Sequence, residues 1–184
     1  KRERVMKQLM ADLHKNAKIE IEDQGLLAYD YRLKGDLDKA IVTYNEAIRQ
    51  TPDNGYLSIF LGDTYQQKGW TAEALGAYRR AVEINPADPN FYITLGKAYQ
   101  MAAGTQIGSG EVMSQRTAYA MAGEQLQKAA TLAGDDVGLH KTLSGLFEEL
   151  GMTADKNKQL SEIARINKYQ EFVKETQEKA AGQK

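Results

Sequence analysis

Residues 55–86 read GYLSIFLGDTYQQKGWTAEALGAYRRAVEINP. Moved back by 34 residues, this stretch lands on itself. Leu61, Gly62 and Tyr65 fall on Leu27, Ala28 and Tyr31, and Ala74, Tyr78 and Ala81 fall on Ala40, Tyr44 and Ala47. Gly69 falls on Gly35, and Pro86 on Pro52. A fixed period of this length marks a repeat architecture. Each unit is a small supersecondary element that cannot bury its apolar side alone, so neighbours must stack.

The period extends outward with changes. Tyr92, Leu95, Gly96 and Tyr99 continue the first half of the pattern. The second half returns as Ala122, Leu126 and Ala129, with Gly134 at the proline site, but Ala122 lies 14 residues later than the period requires. The extra residues fall within Met101 to Ala120. Ala102 to Gly104 and Gly108-Ser109-Gly110 read as loop, and Glu111 to Ala133 as helix with Ser109 as a candidate N-cap. The insertion is an elongated hairpin or a protruding loop. It serves either as a binding or oligomerising surface or as a tolerated surface insertion. Further on, Leu143, Ser144, Phe147 and Gly151 restore the pattern, and Lys156, Leu160 and Ile163 replace the small residues of its second half.

A large residue, a small one and an aromatic, then Ala-x3-aromatic-x2-Ala and a closing proline, all on a 34-residue period, resemble the tetratricopeptide (TPR) repeat. The resemblance covers Ile21 to Lys168. It implies an all-α, right-handed superhelical solenoid of TPR helix-turn-helix pairs with N- and C-terminal capping helices. The expected division is an N-terminal amphipathic helix over 1–20 and four TPR-like repeats over 21–168. These run 21–54, 55–88, 89–136 with the insertion within 101–120, and 137–168. A C-terminal capping helix and tail occupies 169–184. Val5, Met6, Leu9, Met10, Leu13 and Ala17 supply the apolar stripe of the N-terminal helix. That helix caps the stack, folds back as an internal ligand, or pairs with another chain. In repeat one the first helix is expected over Glu22 to Leu33 and the second over Leu37 to Gln50. Lys34-Gly35-Asp36 forms the turn, and Asp36 is a cap for the second helix.

Composition narrows the function. The net charge is −1, and basic residues are interleaved with acidic ones, which gives no electrostatic case for nucleic acid. There is no cysteine, so disulfides and thiolate metal sites are excluded. No apolar run approaches a membrane span, so no membrane insertion is expected within this segment. The chain opens at Lys1 rather than Met, with Arg2, Arg4 and Lys7 close by, and reads as a fragment. Localisation is expected to be cytoplasmic, with a membrane anchor upstream of Lys1 as the alternative. His14 and His140 stand in no motif and read as ordinary helix residues, exposed or partly buried. The acidic doublets Asp135-Asp136 and Glu148-Glu149 read as capping or solvated. No phosphate loop and no nucleophile–base constellation is present, so neither enzyme activity nor a cofactor is expected.

The resemblance places the binding groove on the first helix of each pair. The candidate partner-binding residues are Tyr29 and Arg32; Tyr56, Ile59, Phe60, Asp63 and Gln66; and Asn90, Ile93, Thr94, Lys97 and Gln100. Glu22, Lys141, Thr142 and Glu148 extend the set. Some of these side chains could instead pack against the next repeat as core. The middle of the groove is apolar, which suits a partner protein or peptide with an apolar or amphipathic segment. TPR co-chaperones that grip a carboxylate use lysine, asparagine and arginine at set positions. Here those positions carry Gly25, Tyr29, Phe60, Asn90 and Thr94, so such a clamp is not expected. Trp70, the single tryptophan, lies in a turn and either covers the helix tips or is an exposed anchor. The expected function is a protein–protein interaction scaffold or adaptor that supports a multiprotein complex. The alternative is a self-associating platform, a homo-oligomer that uses the insertion or the terminal helices.

Overall fold

The computed structural model describes residues 23–107 and 111–181. The expected N-terminal helix, Glu22 and the Ser109 cap lie outside the described residues. Eight helices follow in order: α1 Gln24–Leu33, α2 Leu37–Gln50, α3 Gly55–Gln67, α4 Thr71–Ile84, α5 Pro89–Met101, α6 Gln115–Leu132, α7 Val137–Glu149 and α8 Thr153–Ala181. They form a right-handed solenoid of helix-turn-helix pairs.

Side-chain caps set most helix starts. Side chains of Asp23, Asn54, Asp88 and Asp136 accept from the backbone N–H two or three residues on, ahead of α1, α3, α5 and α7. Asp36 does the same for α2. Each satisfies an N–H that the first helical turn leaves without a partner. The turns close by a recurring bond. Asp36 N–H donates to Tyr31 O at 2.9 Å, Trp70 N–H to Tyr65 O at 2.9 Å, and Met152 N–H to Phe147 O at 2.8 Å. This closure requires a left-handed residue just past the helix, supplied by Gly35 at φ 79° and Gly69 at φ 75°.

The third pair departs from this. Thirteen residues, 102–114, separate α5 from α6, against three in each of the first two turns. The helix α6 then starts four residues ahead of the position that Leu37 and Thr71 hold, which accounts for the remainder of the insertion. Glu111–Val112, expected to be helical, is instead the strand β2, paired antiparallel with β1, Gln106–Ile107. The cap of α6 is Ser114, which accepts from Thr117 N–H at 3.1 Å, rather than Ser109. The reason is local. Gly104 N–H donates to Met113 O at 2.8 Å and Met113 N–H to Thr105 O at 3.0 Å, which continues the ladder down to the helix ends. Ile107 and Met113 thereby turn onto the core. The insertion is a hairpin with an anchored base.

Three apolar clusters fill the stack, and each spans neighbouring pairs. Tyr44 and Ile48 of α2 meet Leu57 and Leu61 of α3. Leu75 and Tyr78 of α4 meet Leu95 and Tyr99 of α5. Leu126 of α6 meets Leu143 and Phe147 of α7. The small residues on the first helices sit against large side chains of the second. A Cβ on Gly62 would stand 2.5 Å from Tyr78 Cε1, and one on Gly96 would stand 3.0 Å from Leu126 Cδ2. At the C-terminal end, α8 runs unbroken through residue 168, where a separate cap was expected to begin. Among its residues only Gln159 and Ile166 are buried.

Candidate functional site: the face lined by the first helix of each pair

The helices α1, α3, α5 and α7 are tied to one another by a polar rung at equivalent positions. Arg32 Nη1 donates to Asp63 Oδ2 at 3.2 Å, from α1 to α3. The Gln66 amide nitrogen stands 3.0 Å from Met101 Sδ, from α3 to α5. Gln100 Nε2 donates to Glu149 Oε2 at 3.1 Å, from α5 to α7. Arg32, Gln66 and Gln100 are spaced by the 34-residue period, so a single repeat position reaches across every gap.

The first rung is the most elaborate. The Arg32 guanidinium carbon lies 5.1 Å from the centre of the Tyr29 ring and 5.9 Å from that of Phe60. The two rings are 6.3 Å apart, so the guanidinium and the two rings form a triangle in which one cation lies over both aromatic faces. Asp63 accepts from the Tyr78 hydroxyl at 2.8 Å, and Gln66 Oε1 lies 3.1 Å from the same hydroxyl. Burial, followed by the neighbouring Asp63 charge, pushes the Tyr78 phenol well above its ordinary range. Burial also raises the Tyr44 phenol, to about 12, with the Arg32 charge opposing it. Among the described residues the Tyr44 hydroxyl has no hydrogen-bond partner, and neither does Arg32 Nε.

The sequence-predicted residues separate into groups. Tyr56 is exposed, with its ring edge-on to Phe91 at 4.9 Å and its hydroxyl donating to Asp88 at 3.0 Å. That bond raises the Tyr56 phenol. Tyr29, Asn90 and Lys97 are exposed, and Arg32, Asp63, Gln66, Thr94 and Gln100 are half-buried. Ile59 and Phe60 are half-buried and pack against the inter-repeat clusters. Ile93 is only 6% exposed and belongs to the core with Leu126 and Leu143, so it presents nothing to a partner. In α7, Lys141 and Thr142 are exposed, and Glu148 is engaged by Lys156 at 2.6 Å.

The sequence reading missed the most exposed apolar residues on this side. Leu26 is 59% exposed, Leu33 68% and Met101 61%. For Leu26 the signal was available, because it stands one period before the candidate Phe60; Leu33 and Met101 share a repeat position that no candidate occupies. Two further residues differ from or refine the expectation. His140 is buried, with Nδ1 2.7 Å from Gln159 Oε1 and Nε2 2.9 Å from Gly134 O, and it ties α7 to α8 as a structural residue. Trp70 stacks on Tyr65 at 5.9 Å beneath the Lys68 ammonium at 4.0 Å, yet keeps 43% of its surface. It both covers the helix tip and remains accessible. Among the described residues, no group of three or more histidine, cysteine, aspartate or glutamate side chains could hold a metal ion. No helix among them is long and apolar enough to cross a membrane.

A solenoid of paired helices, with the first of each pair lining one face, is the architecture these observations define. The TPR repeat family model matches residues 28–69 and 62–102, and those residues form tetratricopeptide repeats. No curated protein sequence matches it. Solved structures with the same fold include MamA, at 21% identity over 82% of this chain and 76% of that one, with a TM-score of 0.53. The TPR2B domain of yeast Sti1, in a complex with pHsp70, is 21% identical over 72% of this chain and 96% of its own, with a TM-score of 0.56. The Yersinia enterocolitica type III secretion chaperone SycD, with a peptide of the translocator YopD, is 16% identical over 72% and 93%, with a TM-score of 0.56. At these identities the likeness is one of fold.

Proposed function

We propose that this protein is a scaffold that binds an apolar or amphipathic segment of a protein partner on the face formed by α1, α3, α5 and α7. One observation carries the reading: Leu26, Tyr29, Leu33, Tyr56 and Met101 all lie exposed on the first helices of the first three pairs. Scattered apolar side chains need no explanation, but several gathered on one face mark an interaction surface. Two solved structures of the same fold, those of Sti1 and SycD, are complexes with pHsp70 and with a peptide of YopD. The test uses Leu26→Glu/Leu33→Glu. Both side chains are mostly exposed, so the fold is retained, which circular dichroism checks. Ile59 and Phe60 are unsuitable, because their substitution would also damage the inter-repeat core. Crosslinking capture from the native host is expected to yield a partner with wild type and lose it with the variant. Capture unchanged by the variant rules this face out.

The helix α8 favours a second reading, self-association. Beyond Ile166 it continues to Ala181 with Tyr169 and Phe172 exposed. Light scattering across protein concentration separates the readings. A multimer that dissociates when residues beyond Ile166 are removed supports self-association, and a monomer at all concentrations eliminates it.

A further inference from the structure

The binding face changes character halfway along, and this names the chemistry of its partner. Over α1 and α3 it is apolar, and its charges cancel, because Arg32 and Asp63 are paired. Over α5 and α7 the exposed apolar side chains thin to Met101 at the end of α5: Ile93 is core, and Asn90, Thr94 and Thr142 are neutral and polar. The two threonine hydroxyls are spent on their own helices, Thr94 on Asn90 O at 2.9 Å and Thr142 on Gly138 O at 3.0 Å. What remains is Lys97 on α5 and Lys141 on α7, both exposed. Among the described residues neither has an ion-pair partner. The acids near them are occupied: Glu149 accepts from Gln100, and Glu148 from Lys156.

The rung between Gln100 and Glu149 sets the two ammonium groups in register. Lys97 stands three residues before Gln100, and Lys141 eight before Glu149. The offset along the helices is about 7.5 Å, five residues at ~1.5 Å per residue. A pair of carboxylates one or two turns apart on a bound helix spans it.

Resting on the binding reading above, we infer that the partner is an amphipathic segment of two parts. Its aliphatic or aromatic end lies over α1 and α3, and its acidic end, carrying aspartate or glutamate, meets Lys97 and Lys141. The apolar half supplies most of the affinity, and the lysines fix direction and reject basic segments, which is the usual division between buried and rim contacts.

The probe is a displayed library of random peptides long enough to span the four helices, selected on the full chain and on Lys97→Glu/Lys141→Glu. The wild type is expected to enrich peptides with an apolar block at one end and acids at the other. The charge-reversed variant is expected to keep the apolar block and exchange the acids for lysine or arginine. Fluorescence anisotropy with the best labelled peptide then reads direction. Lys97→Ala/Lys141→Ala should weaken binding about fivefold and flatten its salt dependence, as two rim ion pairs would. Leu26→Ala/Leu33→Ala should weaken it at all salt concentrations alike. Apolar peptides with no charge bias, or a bias that survives charge reversal, overturn the inference and leave the binding reading standing. Enrichment with no apolar block, or no enrichment at all, overturns both.

Discussion

The first two helix pairs and the last two share a packing seam but differ in how the chain joins and ends it. In α1–α4 three residues close each pair, and one backbone bond from the residue five positions on seals the turn. In the third pair that bond is gone, because the residue five beyond Tyr99 is Gly104, whose N–H is taken by Met113 of the hairpin. The seam survives regardless, with Gly96 against Leu126 as Gly62 is against Tyr78. A pair is therefore defined by the close approach of its two helices and not by its loop, since lengthening a loop costs little. The two halves also differ in how tightly that seam is held, and substitutions can measure this.

Gly62→Ala should have the largest effect. Its Cβ would stand 2.5 Å from Tyr78 Cε1 and 2.7 Å from Cδ1. The ring cannot retreat, because it is buried and its hydroxyl is held by Asp63 and Gln66. Overpacking of this kind costs about 2–3 kcal/mol, more than the gain of up to about 1 kcal/mol from replacing a helical glycine. Gly123→Ala in α6 provides the contrast. Its Cβ would meet Met152 Sδ at 2.6 Å, the end of a flexible side chain that can move aside. Its net change should lie within about 0.5 kcal/mol of zero, with the helix gain offsetting the shift. Urea denaturation of both variants decides the matter. Equal losses would mean that the second half is packed as rigidly as the first.

A subtler contrast lies within the tight half. Tyr44 and Tyr78 hold the same repeat position, yet among the described residues only Tyr78 has hydrogen-bond partners. Tyr78→Phe should cost about 1 kcal/mol, the usual net worth of such a bond. Tyr44→Phe should cost nothing, or stabilise by up to about 1 kcal/mol, because it removes a buried hydroxyl without a partner. Both phenols are raised in the folded state, Tyr44 to about 12 and Tyr78 further. Their neutral forms thus favour folding fully below the unfolded value of about 10, and that stability is lost as pH rises towards the folded values. The melting temperature of the wild type should fall steeply above pH ~10, and that of Tyr44→Phe/Tyr78→Phe should fall less. Parallel curves for the two proteins would show that the phenols do not govern alkaline unfolding.

The sequence made the paired architecture legible wherever side-chain size alone specifies it. Leu61, Gly62, Tyr65, Tyr78 and the capping Asp36 all act at the positions the period assigns. It failed where the outcome depends on a neighbour. Glu111 and Val112 read as the start of a helix, and the ladder from Gly104 to Met113 holds them in a strand instead. Ile93 looked like a groove residue by register, but α6 and α7 close over it. His140 carries no motif, and only the packing of α8 supplies its two partners. Leu26 was in view, one period before Phe60, and the period applied to the candidates would have found it.

The smallest effect is expected at the C-terminal end, where the two halves diverge most. The helix α8 has 29 residues, and from Asn167 to Ala181 every side chain but Val173 is exposed. Those fifteen residues rise about 22 Å at ~1.5 Å each, and a helix of that length without support is marginal in water. Among the described residues Tyr169 and Phe172 are 63% and 64% exposed, so Tyr169→Ser/Phe172→Ser should change global stability by less than about 0.5 kcal/mol in dilute solution. The concentration dependence sharpens the result. If the extension packs on a second copy, the wild-type melting temperature rises with protein concentration and that of the variant does not. If both are flat and equal, α8 ends the stack simply as a solvated helix, and the apolar face of α1 and α3 remains the surface through which this protein would meet another.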